Sequence, residues 1–77
     1  MVDHLTRVTV HASGGRAAEM ASALAARGFS VRVERRRFVA ESTTVEAQEA
    51  KAWLRARGFA DREFEVFLEY VRQWGIL

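Results

Sequence analysis

The chain has 77 residues, a formal net charge of +2 and no cysteine. At this length folding buries only about 60% of the unfolded surface, so we expect one domain, residues 1–77, with a small core. Disulfides and thiolate metal ligands are excluded, which leaves packing or self-association as the sources of stability.

The sequence carries no sign of export or membrane insertion. Its first residues lack a charged segment followed by an apolar run, and no stretch approaches the ~18 apolar residues of a membrane span. Without cysteine the chain suits a reducing compartment. We therefore predict a cytoplasmic protein with no membrane partner.

Charge is divided unevenly along the chain. Residues 1–40 carry seven arginines and three acids, a balance of +4, whereas residues 41–77 carry five bases and seven acids, a balance of −2. Such asymmetry suggests an interaction surface on the basic half.

Three segments of the first half have the periodicity of regular structure. Val8 and Val10 alternate with polar residues, which predicts a first strand over residues 5–11. After a break at residues 13–15, residues 16–27 are helix formers with apolar members on one face. Residues 29–40 alternate and predict a hairpin, although its turn lacks the Asn-Gly signal.

Two further helices are predicted in the second half. Thr43 and Glu46 have capping-box spacing, so a second helix is expected to run to about Arg57. Asp61 is a candidate N-cap for a third helix. Apolar residues of that segment recur at helical spacing: Phe64, Phe67, Leu68 and Val71.

The pattern Leu-x-Ala-Arg-Gly-Phe appears at residues 24–29 and again at residues 54–59. We interpret it as one helix stop used twice, with glycine at C′ and phenylalanine closing a Schellman motif. Gly28 and Gly58 are therefore predicted to have positive φ. A duplicated unit is the less favoured interpretation, because the first copy leads into a strand and the second into a helix.

The predicted order is β-α-β-β-α-α, an α+β fold. A right-handed strand-helix-strand unit followed by a hairpin gives a three-stranded mixed sheet with the helices packed mainly on one face. This is the ferredoxin-like β-α-β-β-α-β pattern with a third helix in place of its last strand. The likeness is one of architecture only.

The predicted third helix carries more apolar surface than packing on one side requires, about 200° of its circumference. Burial on both flanks is one explanation. The other is an interface with a second chain, since tyrosine and tryptophan favour interfaces. The candidate interface residues are Val66, Tyr70, Trp74, Ile76 and Leu77.

Arginines concentrate at the predicted hairpin tip and on the sheet face away from the core, where they could contact the phosphates of a nucleic acid. The candidate contacts are Arg7, Arg32, Arg35, Arg36 and Arg37. Phe29 and Phe38 share the parity of the core residues, so the face is expected to lack aromatic side chains on which bases stack. A solvated charged edge is the more frequent explanation.

The turn before the first helix is a candidate anion-binding loop, because it offers backbone N–H groups and a guanidinium. Its residues are Ser13, Gly14, Gly15 and Arg16. The loop lacks the spacing of a dinucleotide or P-loop motif, so an ordinary connection is favoured.

Enzymatic chemistry has little support in the sequence. His4 and His11 lack nearby acidic or sulfur ligands, so no metal site is predicted, and no cofactor motif is present. The acids of the last third are expected on a polar helix side rather than as a catalytic pair.

The sequence therefore predicts a non-enzymatic interaction or regulatory module that self-associates, most simply as a homodimer. A small nucleic-acid-binding protein and an anion or small-ligand sensor are the alternatives. A protein partner other than a second copy also stays open.

Overall fold

The computed structural model describes the backbone of residues 2–72 and the side chains of residues 5–68. A short 3₁₀ turn, Asp61–Glu63, precedes the last strand. The α+β class is confirmed. In chain order the strands and helices are β1 (Val2–Val10), α1 (Gly15–Ala26), β2 (Ser30–Glu34), β3 (Arg37–Ser42), α2 (Ala47–Ala56) and β4 (Phe64–Arg72).

The sheet has four antiparallel strands in the order β2-β3-β1-β4. The prediction of a three-stranded mixed sheet is wrong on two counts. The segment expected to form a third helix supplies a fourth strand, and β3 lies between β1 and β2, so that no two parallel strands are neighbours. The element order is that of the ferredoxin-like split β-α-β arrangement with its last strand present.

The third helix was predicted from apolar spacing that also suits a strand. Glu65 and Glu69 alternate with apolar residues, and the segment is rich in aromatic and β-branched side chains, which favour extended backbone. Pairing with β1 extends from Val2 opposite Arg72 to Val10 opposite Phe64. This ladder provides hydrogen-bond partners for the backbone groups on one side of the segment. Pairing with β1 therefore outweighs the helical spacing of its apolar residues.

Alternation along the strands separates two faces of the sheet. Thr6, Val8 and Val10 of β1 are buried on the face that the helices cover. The register places Ala40 of β3 and Val66 of β4 opposite Val8, on the same face. One hydrophobic core joins this face to the helices and to the residues after them: Met20, Leu24, Phe29, Val45, Ala50, Leu54, Phe59 and Phe64.

The two helices end in the same way. Gly28 and Gly58 have φ of 107° and 92°, which confirms the prediction of positive φ at both. After α1, the Phe29 N–H donates to the Leu24 carbonyl at 3.0 Å and the Gly28 N–H to Ala25 at 3.1 Å. These are the two bonds of a Schellman motif.

The same pair of bonds closes α2. The Phe59 N–H donates to the Leu54 carbonyl at 3.1 Å and the Gly58 N–H to Arg55 at 3.0 Å. Because Phe59 is 5% exposed, the cap also anchors the following chain in the core.

The predicted capping box of the second helix is wrong. The helix begins at Ala47 with Glu46 as N-cap, and no side-chain capping hydrogen bond forms. Instead the Ser42 hydroxyl accepts hydrogen bonds from the N–H groups of Thr44 and Val45 at 3.1 Å. Serine hydroxyls stabilise turns in this way, so the chain turns before the helix starts.

Replacement of Gly58 by alanine should destabilise the domain by about 1 kcal/mol, a drop of roughly 4–8 °C in Tm, because an L residue is strained at this φ. Nothing lies within 4 Å of the added Cβ, so the cost is conformational rather than steric. Gly15→Ala is the matched control, since its site is equally open and its φ is not in the left-handed region. Thermal unfolding of both variants tests this, and equal Tm values would contradict it.

Candidate functional site

The helices cover one face of the sheet and leave the other open. Arg7 and Thr9 of β1 alternate with the buried core positions, and the register places residues of the other strands beside them. We call this surface the open face. Its described members are Leu5, Arg7, Thr9, Ser30, Arg32, Glu34, Arg37, Val39, Glu41, Glu65 and Phe67.

Glu41 is the centre of an ion-pair network on the open face. Arg32 donates to its two carboxylate oxygens at 2.6 and 3.2 Å, and Arg7 donates at 2.9 Å. Arg32 also donates to Glu34 at 2.6 Å. The guanidinium of Arg32, followed by that of Arg7, lowers the pKa of Glu41. Two of the five predicted nucleic-acid contacts are thus already engaged by carboxylates.

The hairpin tip is formed by Arg35 and Arg36, as predicted, and both have positive φ, 50° and 69°. Glu34 pairs with Arg37 across this two-residue turn. Positive φ at both central residues defines the type I′ turn, which normally selects Asn-Gly. Arginine there carries a strain of about 1 kcal/mol per residue.

A cavity of about 610 Å³ lies on the open face beside the hairpin tip. Arg7, Thr9 and Val39 line it together with Phe67, whose side chain is 46% exposed. The remaining lining residues are Glu34, Arg35, Arg37 and Leu68. An aromatic ring therefore lies among arginines, contrary to the expectation from sequence. The prediction of a helix here missed the exposure of Phe67 on the sheet. Its position between Glu65 and Glu69 in an alternating segment was the sequence signal that could have indicated it.

His11 connects the hairpin to β4. Arg37 donates to His11 Nδ1 at 2.6 Å, which assigns the proton to Nε2, and that nitrogen donates to the Glu65 carboxylate. Both ring nitrogens already form hydrogen bonds, so neither is free to act as a general base. The imidazole instead positions Arg37. Arg37 is held over the open face by this contact.

The predicted anion loop has the expected turn but its arginine is engaged elsewhere. Gly14 has a φ of 61° at the start of α1. Arg16 donates to the Glu63 carboxylate at 2.8 and 3.1 Å and to the Gly58 carbonyl at 3.1 Å. Its guanidinium also lies 4.6 Å from the centre of the Phe59 ring. Arg16 therefore joins α1 to the segment before β4.

A second cavity, of about 360 Å³, joins the loop to the hairpin. Ser13 and Gly14 line it on one side and Arg36 and Arg37 on the other. Arg37 lines both cavities. The fold thus brings together two candidate sites that lie far apart in the sequence.

The predicted interface residues fall on the last strand or beyond it. Val66 lies on the helix-covered face, partly buried against the core. Tyr70 pairs with His4 in the β1–β4 ladder. Trp74, Ile76 and Leu77 lie outside the described residues. Among the described side chains of β4, the large apolar ones that are exposed are Phe67 and Leu68, at 46% and 43%.

Within the described part of the chain, no group of three or more metal-binding side chains comes together. Neither α1 nor α2 is long and apolar enough to cross a membrane. Comparisons with protein-family models, curated proteins and solved structures found no match for this chain.

The Arg16–Glu63 contact should make stability depend on pH in the acidic range. The hydrogen bonds from Arg16 and from the Ala60 N–H lower the pKa of Glu63 from 4.5 to about 2. A depressed folded-state pKa contributes stability above the unfolded value, and this contribution is lost as the pH falls from 4.5 to about 2.

The Tm difference between the wild-type protein and Glu63→Gln should therefore shrink across that window. Arg16→Gln should lose the larger part of this pH dependence, because it removes the ion pair but leaves the hydrogen bond from the Ala60 N–H. Thermal unfolding at a series of pH values measures both. A constant difference between wild type and Glu63→Gln would contradict the assignment.

Proposed function

We propose that this chain is a small non-enzymatic interaction module that self-associates through the outer edge of β4. The observation that carries the proposal is the strand itself. It is nine residues long and lies at one end of the sheet, with β1 on its inner side. No described strand pairs with its outer side, and an unpaired edge of this length is a template for another strand.

The backbone groups available at this edge follow from the register. The His11 N–H donates to the Glu63 carbonyl at 2.7 Å, so the residues of β4 in phase with Glu63 turn their polar backbone groups toward β1. Antiparallel alternation directs the groups of the other residues outward. Those residues are Phe64, Val66, Leu68, Tyr70 and Arg72.

The opposite edge of the sheet is protected. β2 has five residues and carries the charged side chains of Arg32 and Glu34, which pair with each other. Short, charged edge strands resist pairing with other chains. Only β4 combines length with exposed apolar side chains, those of Phe67 and Leu68.

A second copy of the chain is the occupant that β4 fits. Leu68 is the middle residue of Phe64–Arg72, so an antiparallel pair centred on it aligns all nine residues of each strand. That register sets no glutamate opposite another glutamate. A centre at Phe67 would set Glu65 against Glu69 twice, and a centre at Glu69 would set it against its own copy, which like-charge repulsion disfavours.

The rest of the proposal follows from size and composition. A core of this extent supplies only about 3–5 kcal/mol, and joining two sheets adds backbone hydrogen bonds and apolar burial. A chain without cysteine requires no oxidising compartment, so we place the module in the cytoplasm.

Leu68→Lys should weaken the dimer about thirtyfold or more, because a charge at the centre of the interface loses both packing and pairing. The fold should survive, since the Leu68 side chain is 43% exposed. Val33→Lys is the matched control: it changes an apolar residue, 63% exposed, on the opposite edge. Sedimentation at about 10–100 µM measures the mass. A monomeric wild type, or equal effects of the two variants, would sink the proposal.

A single introduced cysteine tests the register, because the natural chain has none. In the register centred on Leu68, the two copies of this residue have Cα atoms about 5.5 Å apart, which suits a disulfide. Oxidised Leu68→Cys should run as a covalent dimer on a non-reducing gel, whereas Val33→Cys should remain monomeric. A dimer that forms in solution without cross-linking at residue 68 would exclude this register.

A further inference from the structure

The open face holds an exposed aromatic ring beside positive charge. Phe67 lies opposite Arg7 in the β1–β4 ladder, and its side chain is 46% exposed within the larger cavity. A ring in this setting offers a flat apolar surface to another flat ring. Nucleobases stack on such side chains regardless of sequence, with a contribution of about 1–3 kcal/mol per base.

The charges at the hairpin tip are not neutralised by the described side chains. Across residues 5–68 no carboxylate pairs with Arg35, Arg36 or Arg37, and Arg37 is bonded to His11 instead. This contrasts with Arg7 and Arg32, which Glu41 engages. An anion arriving at the tip has no carboxylate to displace.

The tip also retains these charges at a cost in stability. Asn-Gly would form the same type I′ turn without strain, yet Arg35 and Arg36 occupy the two positive-φ positions. Strain of this kind persists at sites where the side chains serve binding.

The shape of the surface favours a polymer over a small ion. The cavity that contains Phe67 is about 610 Å³, the cavity beside it is about 360 Å³, and Arg37 lines both. Arg35 lines the first cavity and Arg36 the second. A ligand with alternating bases and phosphates matches this surface, because the Phe67 ring lies in the first cavity and guanidinium groups lie in both cavities.

We propose that the open face binds single-stranded nucleic acid, with a base stacked on Phe67 and successive phosphates held by Arg35, Arg36 and Arg37. A duplex is a poor fit, because its bases are already stacked on one another and cannot present a face to Phe67. Glu34 also lines the larger cavity and repels phosphate near the end of β2, which leaves the tip as the path of the backbone.

The test is fluorescence anisotropy with a labelled oligothymidylate of about twelve nucleotides at about 20 mM salt, and then at rising salt. The same strand annealed to its complement and free thymidine monophosphate are the comparison ligands. We expect the single strand to bind at least about tenfold more tightly than either, with an affinity that falls steeply with salt.

Two variants separate the parts of the site. Phe67→Leu retains apolar bulk but removes the aromatic face, and should weaken binding about tenfold or more with an unchanged salt slope. Arg35→Asn with Arg36→Gly removes two charges and relieves the strained turn. This double variant should raise Tm by about 5 °C while it weakens binding and flattens the salt slope by about 1.4, since each lost phosphate contact accounts for about 0.7.

Arg57→Gln with Arg62→Gln is the matched control. It removes the same number of charges from exposed residues at the end of α2 and in the turn after it, and neither residue lines the cavity that contains Phe67 or the cavity beside it. The salt dependence of its binding should change less than that of the hairpin variant.

Four outcomes would overturn the proposal. They are an undetectable association of the wild-type protein with the single strand at low salt, equal affinity for the duplex, tighter binding of the free nucleotide, and an unchanged affinity of the hairpin variant. The hairpin variant is expected to be more stable than the wild type, so a loss of binding cannot be attributed to unfolding.

Discussion

The pairing of β4 with β1 is the interaction on which the rest of the structure depends. It places Phe64 in the core, turns Phe67 to the open face and leaves Leu68 at the edge of the sheet. It also sets β1 in the centre, where Val8 is completely buried between neighbours on both sides. Because the strand period is two, a shift of one residue would exchange these roles.

Electrostatics divides the arginines into two groups. The arginines of one group form ion pairs with carboxylates, which offset their charge: Arg7, Arg16, Arg27, Arg32 and Arg55. The arginines of the hairpin tip have no such partner among the side chains of residues 5–68. Positive charge is therefore concentrated by the folding of the acidic second half onto the basic first half, even though the net charge of the whole chain is small.

The two proposals use different parts of β4 and are compatible. The backbone of the strand faces outward at the edge, whereas Phe67 points to the open face. A two-fold axis through paired Leu68 residues stands perpendicular to the sheet, so both open faces of such a dimer lie on the same side. Two sites on one continuous surface would favour a long strand over a short one, because the second contact becomes intramolecular.

Local sequence was sufficient for the features that depend on neighbouring residues. The repeated Leu-x-Ala-Arg-Gly-Phe pattern determined both helix ends, since the backbone hydrogen bonds of the left-handed glycine and of the following phenylalanine go to the preceding turn. The alternation of residues 29–40 determined the hairpin. The length of this segment determined a two-residue turn, even though the turn lacks Asn-Gly.

Tertiary structure decided what the last segment becomes. The spacing of Phe64, Phe67 and Leu68 suits a helix, while the alternation around Glu65 and Glu69 suits a strand, so the local pattern does not choose. The choice came from β1, more than fifty residues earlier, whose free side could be satisfied only by another strand. The exposed ring of Phe67 and the open edge at Leu68 follow from that long-range pairing, because the face and edge that a residue occupies depend on its partner strand rather than on its neighbours in sequence.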